Sequence, residues 1–208
     1  MLAKLNELQV VYSHPTVPIA VNNLGTVLRD LGRNREAIPL MEQALEKFRI
    51  NYGNEHQNVA RVLNNLAATY NDLNQWNLAA PKAEEAISIY EKLFPEGHPH
   101  YAYALNTQAS LLRDQGQPEA ARSLYERALA MLDQHPEDAT RAAVHENFGR
   151  YYYDQQLFDE AESQWLAAHQ LLSELHANDN PALTRVRNYL EQLYTDWGRP
   201  DKAATFAP

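Results

Sequence analysis

Cysteine is absent from this chain of 208 residues, which excludes a disulfide framework, a thiolate metal site and a cysteine nucleophile. Glycine is scarce, at seven residues, while Ala, Leu, Glu, Gln and Arg are prominent; few turn-formers remain, so an all-α protein is expected and strands have little support. Positive charge is also short. Eighteen Lys and Arg against 27 Asp and Glu leave a formal net charge of −9, the opposite of the basic face that a nucleic-acid or anionic-membrane binder carries, so neither is an expected partner. No apolar run approaches the roughly 20 residues that span a bilayer. Residues Met1 to Leu8 alternate polar and apolar and lack the apolar stretch of a secretory signal, and a cytoplasmic location is the resulting expectation.

What the chain does have is internal repetition. Asn64-Asn65-Leu66-Ala67 is preceded 42 residues earlier by Asn22-Asn23-Leu24-Gly25 and followed 42 later by Asn106-Thr107-Gln108-Ala109. The same shift superimposes His14, His56 and His98, and Ala37, Ala79 and Ala121; a step of 40 then reaches Gly149 and Ala161. Small residues recurring in register mark places where helices approach closely, so the repeating unit is a helix pair. The two residues missing between the third and fourth units fall near Asp133 to Asp138, in a loop.

Apolar spacing predicts first helices at about 16–31, 59–73, 101–115, 140–155 and 182–197, and second helices at about 35–52, 78–93, 119–132, 159–175 and 201–206. Each first helix should stop at one register position, occupied by Gly32, Asn74, Gly116, Gln156 and Gly198, because glycine and asparagine take the left-handed conformation that ends helices. Pro39 and Pro81 recur in phase inside second helices, so the unit tolerates them. The spacing divides 1–208 into one array: 1–13 as the end of a preceding repeat, full repeats at 14–55, 56–97, 98–137 and 138–179, and a partial repeat at 180–208. Because both ends cut through a unit and open solenoid faces need caps, the chain is expected to be a fragment of a longer array or to pair through its ends.

A small residue in the first helix followed twelve residues later by alanine in the second recurs as Gly25 with Ala37, Ala67 with Ala79, Ala109 with Ala121, and Gly149 with Ala161. This resembles the tetratricopeptide repeat, whose usual period is about 34 residues. The longer period here, the Leu-Asn-Asn-Leu-Ala run and the His-Pro pairs at 14-15 and 98-99 are similar to the long repeats of kinesin light chains. The resemblance implies a right-handed α–α superhelical solenoid that serves as a protein-binding scaffold, with first helices lining a concave groove. Gln108, His145 and Glu191 depart from the expected large apolar or small residues, and Glu191 suggests a loosened last unit.

Leu24, Leu28 and their equivalents should face partner helices, which turns the opposite stripe of each first helix toward the groove. In the second unit that stripe is Arg61, Asn64, Asn65, Ala68, Asn71 and Asp72. One ladder runs Asn22, Asn64, Asn106, Glu146, Asn188, with Asn23, Asn65, Thr107, Asn147 and Tyr189 beside it. An asparagine amide offers donors and an acceptor that match a peptide backbone; the alternative is that these side chains only bond neighbouring helices or water. Arg29, Arg61, Arg113, Arg150 and Arg185 could hold carboxylates, and Tyr103 and Tyr153 could anchor a ligand. The aspartates Asp30, Asp72, Asp114, Asp154 and Asp196 read as ion-pair or loop partners, and Trp165 as packing. The in-phase histidines read as repeat geometry. No metal set, cofactor loop or catalytic motif is present, so no cofactor and no enzyme activity are expected. The expected function is capture of a partner protein or peptide, the alternative being a structural or regulatory arm or self-association through the ends.

Overall fold

The computed structural model describes residues 16–135, 139–175 and 180–206. Among them are ten α-helices in tandem: α1 Thr16–Asp30, α2 Asn34–Tyr52, α3 Gln57–Asp72, α4 Trp76–Leu93, α5 Pro99–Asp114, α6 Pro118–Met131, α7 Ala139–Asp154, α8 Phe158–Leu175, α9 Pro181–Asp196 and α10 Pro200–Phe206. A 3-10 turn, Leu132–Gln134, follows α6. The helix bounds lie within two residues of those that apolar spacing predicts. His14 and the segment 1–13 fall outside the described residues, as do residues 136–138 of the loop expected at 133–138.

The helices form two compact units, Met1–Pro95 and Glu96–Pro208. In the first, α1 packs on α2, α2 on α3 and α3 on α4, while α1 and α3 also touch. The second repeats the arrangement from α5 to α10, with α5 and α7 in contact. Within the units, α3, α7 and α9 each sit between the second helix of their own pair and the second helix before it.

Helix ends follow the register. Gly32, Gly116 and Gly198 have φ of 74°, 73° and 72°, and Asn74 and Gln156 join them at 55° and 62°. The same amide bond closes each end: Arg33 N to Leu28 O at 2.8 Å, Gln75 N to Tyr70 O at 2.9 Å, Leu157 N to Tyr152 O at 3.0 Å. Starts follow it too. His56 and His98 accept the amide protons of Asn58 (3.1 Å) and His100 (3.0 Å) through Nδ1, and Asn180, in the same register, accepts those of Ala182 and Leu183. The histidines are helix caps, with an imidazole nitrogen doing what a capping carboxamide oxygen does at Asn180. Pro39 and Pro81 lie inside α2 and α4, which continue through them.

The small-residue register is where each pair closes. A Cβ built on Gly25 would stand 2.8 Å from Met41 Cγ, and one on Gly149 would stand 2.4 Å from two ring atoms of Trp165. Trp165 occupies the position of Met41 and Tyr125 and is fully buried, its Nε1 donating to the carbonyl of Glu146 at 2.9 Å. The indole is wide, so the facing residue has no side chain.

One expectation is corrected. Leu24 is 51% exposed, and Val27 and Leu31 are exposed with it, although their counterparts Leu66, Thr69, Phe148, Tyr151, Leu190 and Leu193 are buried. Those counterparts face a second helix that precedes them, and no described helix precedes α1. His145, at an expected apolar position, is half-buried and donates through Nδ1 to Gln164 Oε1 at 2.7 Å. A hydrogen-bond partner is what admits a polar ring there.

Gly149→Ala should cost about 1–3 kcal/mol in urea unfolding, because a rigid indole must move, whereas Gly25→Ala, facing a flexible methionine, should cost less. Gln156→Gly should gain about 1 kcal/mol by removing a side chain from a left-handed position. Burial holds the His145 imidazole below its ordinary pKa. The folded state therefore binds fewer protons than the unfolded one, and stability should fall as pH drops below about 6.5. His145→Gln should flatten that acid limb in melts taken across pH.

Candidate interaction face on the first helices

The asparagine ladder is not an open stripe. Asn22 and Asn64 are each 1% exposed, and Asn65, Asn71 and Asn106 are buried as well. Sequence spacing separates the face turned toward second helices from the rest of a helix, but it does not show that another first helix lies against part of that rest. The side-by-side contacts α1–α3 and α5–α7 bring Asn65 to Asn22 and Asn147 to Asn106. Two rungs are explicit: Asn65 Nδ2 donates to Asn22 Oδ1 and to Thr26 Oγ1, both at 3.3 Å, and Asn147 Nδ2 donates to Asn106 Oδ1 at 3.2 Å. The second asparagine of one repeat bonds the first asparagine of the repeat before it, so these side chains serve as rungs between helices.

Glu146, the acidic member of the ladder, has its own rung. Arg185 donates Nε to Oε1 at 2.5 Å and Nη2 to Oε2 at 2.9 Å, a bidentate grip on a carboxylate whose side chain is 11% exposed. Arg185, expected on the groove side as a residue that could hold a carboxylate, holds one of its own chain. It neutralises the acid that replaces asparagine.

The aspartate register works the same way one turn further on. Arg29 pairs with Asp30 at 3.1 Å and reaches Asp72 of the next repeat at 4.0 Å; Arg113 pairs with Asp114 at 2.8 Å and reaches Asp154 at 3.7 Å. In the fourth repeat Tyr153 takes the arginine's place and donates to Asp196. Hydrogen bonds from Gln192 and Tyr153 hold the Asp196 carboxyl below its usual range. Arg29, Arg113 and Tyr153 therefore join consecutive repeats.

Of the remaining candidates, Asn23, Arg150 and Asn188 are exposed, with Arg150 near Asp154 at 3.5 Å, and Tyr103 is half-exposed. Tyr189 stacks on Trp165 with ring centroids 5.2 Å apart.

Several buried polar atoms lack a hydrogen-bond partner among the described residues, Oε1 of Gln108 and Nη1 of Arg113 among them, and α3 carries others. Both polar atoms of the Asn64 amide, and Nε and Nη2 of Arg61 one turn earlier, are buried without a hydrogen-bond partner among the described residues. Leaving such groups unmet costs roughly 1–3 kcal/mol each, and native proteins rarely do so without a reason. Periodicity placed both residues on the interaction face, but it could not show that their polar atoms are the ones left over.

The tetratricopeptide repeat model matches residues 16–92 and 83–134. The chain belongs to the tetratricopeptide repeat family. Its all-α fold is that of tetratricopeptide-repeat solenoids, with repeats of the long, kinesin-light-chain-like type. BtubC (BKLC) from P. vanneervenii is similar in structure, with a TM-score of 0.70 at 22% identity over 97% of this chain and 83% of that one. The nearly identical, kinesin-light-chain-type TPR-like repeats from Podospora anserina superpose with a TM-score of 0.63 at 20% identity over 93% of this chain and 92% of that one. A Rap protein complexed with Competence and Sporulation Factor gives 0.78 at 22% identity, over 89% of this chain and 50% of that one. No curated protein matches the sequence. At these identities the likeness is one of fold. Tetratricopeptide repeats make this a protein-interaction module, and among the described residues no helix is long and apolar enough to cross a membrane and no group of three or more His, Asp or Glu could hold a metal ion.

Arg185→Met should destabilise the protein by roughly 1–3 kcal/mol in urea unfolding, because it strands the enclosed Glu146 carboxylate. Glu146→Gln should cost less, since it strands only the half-exposed guanidinium.

Proposed function

We propose that this chain captures an extended or short helical segment of a partner protein along its first helices, in the concave groove of the repeat fold. The observation that carries the reading is the pair Arg61 and Asn64 on α3, whose buried polar atoms lack hydrogen-bond partners among the described residues. Asn64 offers a donor and an acceptor, the complement of a peptide group, and can bind backbone whatever the side chains beside it. Asn23, Arg150, Asn188 and Tyr103 supply the exposed polar and aromatic surface around such a segment. The Rap protein of similar fold is a complex with Competence and Sporulation Factor, which supports the same use of the fold. The ladder residues Asn22, Asn65, Asn106 and Asn147 are assigned to holding the repeats together.

A second reading, self-association through an end, is favoured by the exposed apolar stripe Leu24, Val27 and Leu31 on α1. Sedimentation or light scattering would show a concentration-dependent dimer that Leu24→Lys abolishes; a monomer at all concentrations rules it out.

The leading reading predicts that Asn64→Ala weakens binding of peptides selected from a random library about tenfold, the worth of one or two hydrogen bonds, without lowering the melting temperature. Asn106→Ala, which removes the acceptor of Asn147, should lower the melting temperature. Affinity unchanged in Asn64→Ala would remove the groove assignment.

A further inference from the structure

The contact between α8 and α9 is made by side chains unlike those its registers carry elsewhere. Second helices hold Leu45, Ile87 and Leu129 at one register, and α8 holds His169 there. First helices hold Leu63 and Leu105 at another, where α7 and α9 hold His145 and Arg187. In the first unit Leu45 and Leu63 are buried. In the second, the equivalent residues of α8 and α9 are two basic side chains that meet: Arg187 donates through Nε to Nε2 of His169 at 3.4 Å. On its other flank the same imidazole meets Phe206 of α10 edge to face, with ring centroids 5.5 Å apart, and Phe206 stacks in turn on Tyr194 of α9. One histidine thus touches both helices of the last pair.

The bond from Arg187 requires a neutral imidazole with its proton on Nδ1 and a free lone pair on Nε2. A second proton would fill that lone pair and turn an N–H toward the N–H of a guanidinium that stays charged at every accessible pH. From this we infer that His169 is a pH-sensitive latch: on protonation it releases the α9–α10 pair from α8 while the rest of the second unit stays folded. No docked segment is needed for the release. Burial and the neighbouring Arg187 charge hold the His169 imidazole below its ordinary pKa. The docked pair therefore binds fewer protons than the released one, and release is favoured as pH falls below about 6.5. Among the described residues, α9 turns Arg187 to His169, and α10 turns the uncharged ring of Phe206 to it, while Lys202 of α10 is paired with Glu162 at 2.6 Å. Two acids that also hold the pair do not titrate in this range. Hydrogen bonds from Gln192 and Tyr153 keep the Asp196 carboxyl low, and Glu162, although burial opposes it, is kept low by Lys202 and Tyr194. Release would bring the buried Leu190 and Leu193 of α9 to the surface, the register that α1 already exposes at Leu24 and Val27. The second unit would then present at acid pH an apolar face that it covers at neutral pH.

The test is hydrogen exchange on the whole chain, read helix by helix at about pH 7.5 and about pH 5.5 and corrected for the intrinsic pH dependence of amide exchange. Amides of α9 and α10 should lose protection severalfold at the lower pH while those of α5 and α6 keep theirs. The midpoint of that loss should coincide with the titration of the His169 ring protons in NMR spectra. His169→Leu, which restores the residue of Leu45 and Leu129, should abolish the loss, as should His169→Gln. His145→Gln, which removes the other enclosed imidazole, should leave it in place. Equal protection of α9 and α10 at both pH values would overturn the latch. So would a loss shared equally by α5 and α6, which is unfolding of the whole unit, or a midpoint apart from the His169 titration. A loss that survives in either His169 variant, or that disappears in His145→Gln, would overturn it as well.

Discussion

The close approach of two helices at one small residue per repeat is the contact on which everything else depends. Gly25 against Met41 and Gly149 against Trp165 leave no room for a Cβ, and Ala67 and Ala109 are buried at the same register. Once that contact is made, the rotation of each first helix is set. Its leucine side must meet a second helix, and the adjoining side must meet another first helix. Glycine at 149 and tryptophan at 165 also show that the contact is conserved in volume rather than in residue type: the largest side chain sits opposite the smallest residue.

That geometry turns polar residues into connectors. A helix whose sides are both covered can carry asparagine on one of them only if each amide finds a partner, and the Asn65–Asn22 and Asn147–Asn106 rungs supply it. The charged register follows the same logic, with Arg29 and Arg113 each reaching an aspartate of the next repeat as an ion pair and Tyr153 donating to one. Substitutions inside the network come in matched sets. Glutamate replaces asparagine at 146 where arginine stands at 185, and tyrosine replaces arginine at 153 where it still meets an aspartate. Arg61 and Asn64 on α3 keep buried polar atoms without a hydrogen-bond partner among the described residues, as Gln108 does on α5.

Periodicity alone carried much of this. The helix pairs, the left-handed stop at Gly32, Asn74, Gly116, Gln156 and Gly198, and the buried alanines all follow from residues recurring at fixed spacing. The recurrence of histidine before first helices was legible as geometry, though its capping role needed the position of Nδ1. The interaction face was legible only in part. Spacing put Asn22, Asn64, Asn65 and Asn106 on one side and left open whether they meet a ligand or a neighbouring helix; all four are enclosed.

The reason lies in what each kind of information measures. Spacing along a helix reports angle around its axis, so the sequence by itself determined which residues share a side, where each helix stops, and that small residues must meet. It does not report what stands opposite that side. Whether an asparagine faces solvent or another first helix, whether Arg185 is free or bound to Glu146, and whether Leu24 is covered are facts about the neighbouring element, and only the tertiary structure decided them. The unmatched polar atoms of Asn64 and Arg61 belong to that second class, because a missing hydrogen bond is a property of two surfaces and the sequence describes one at a time.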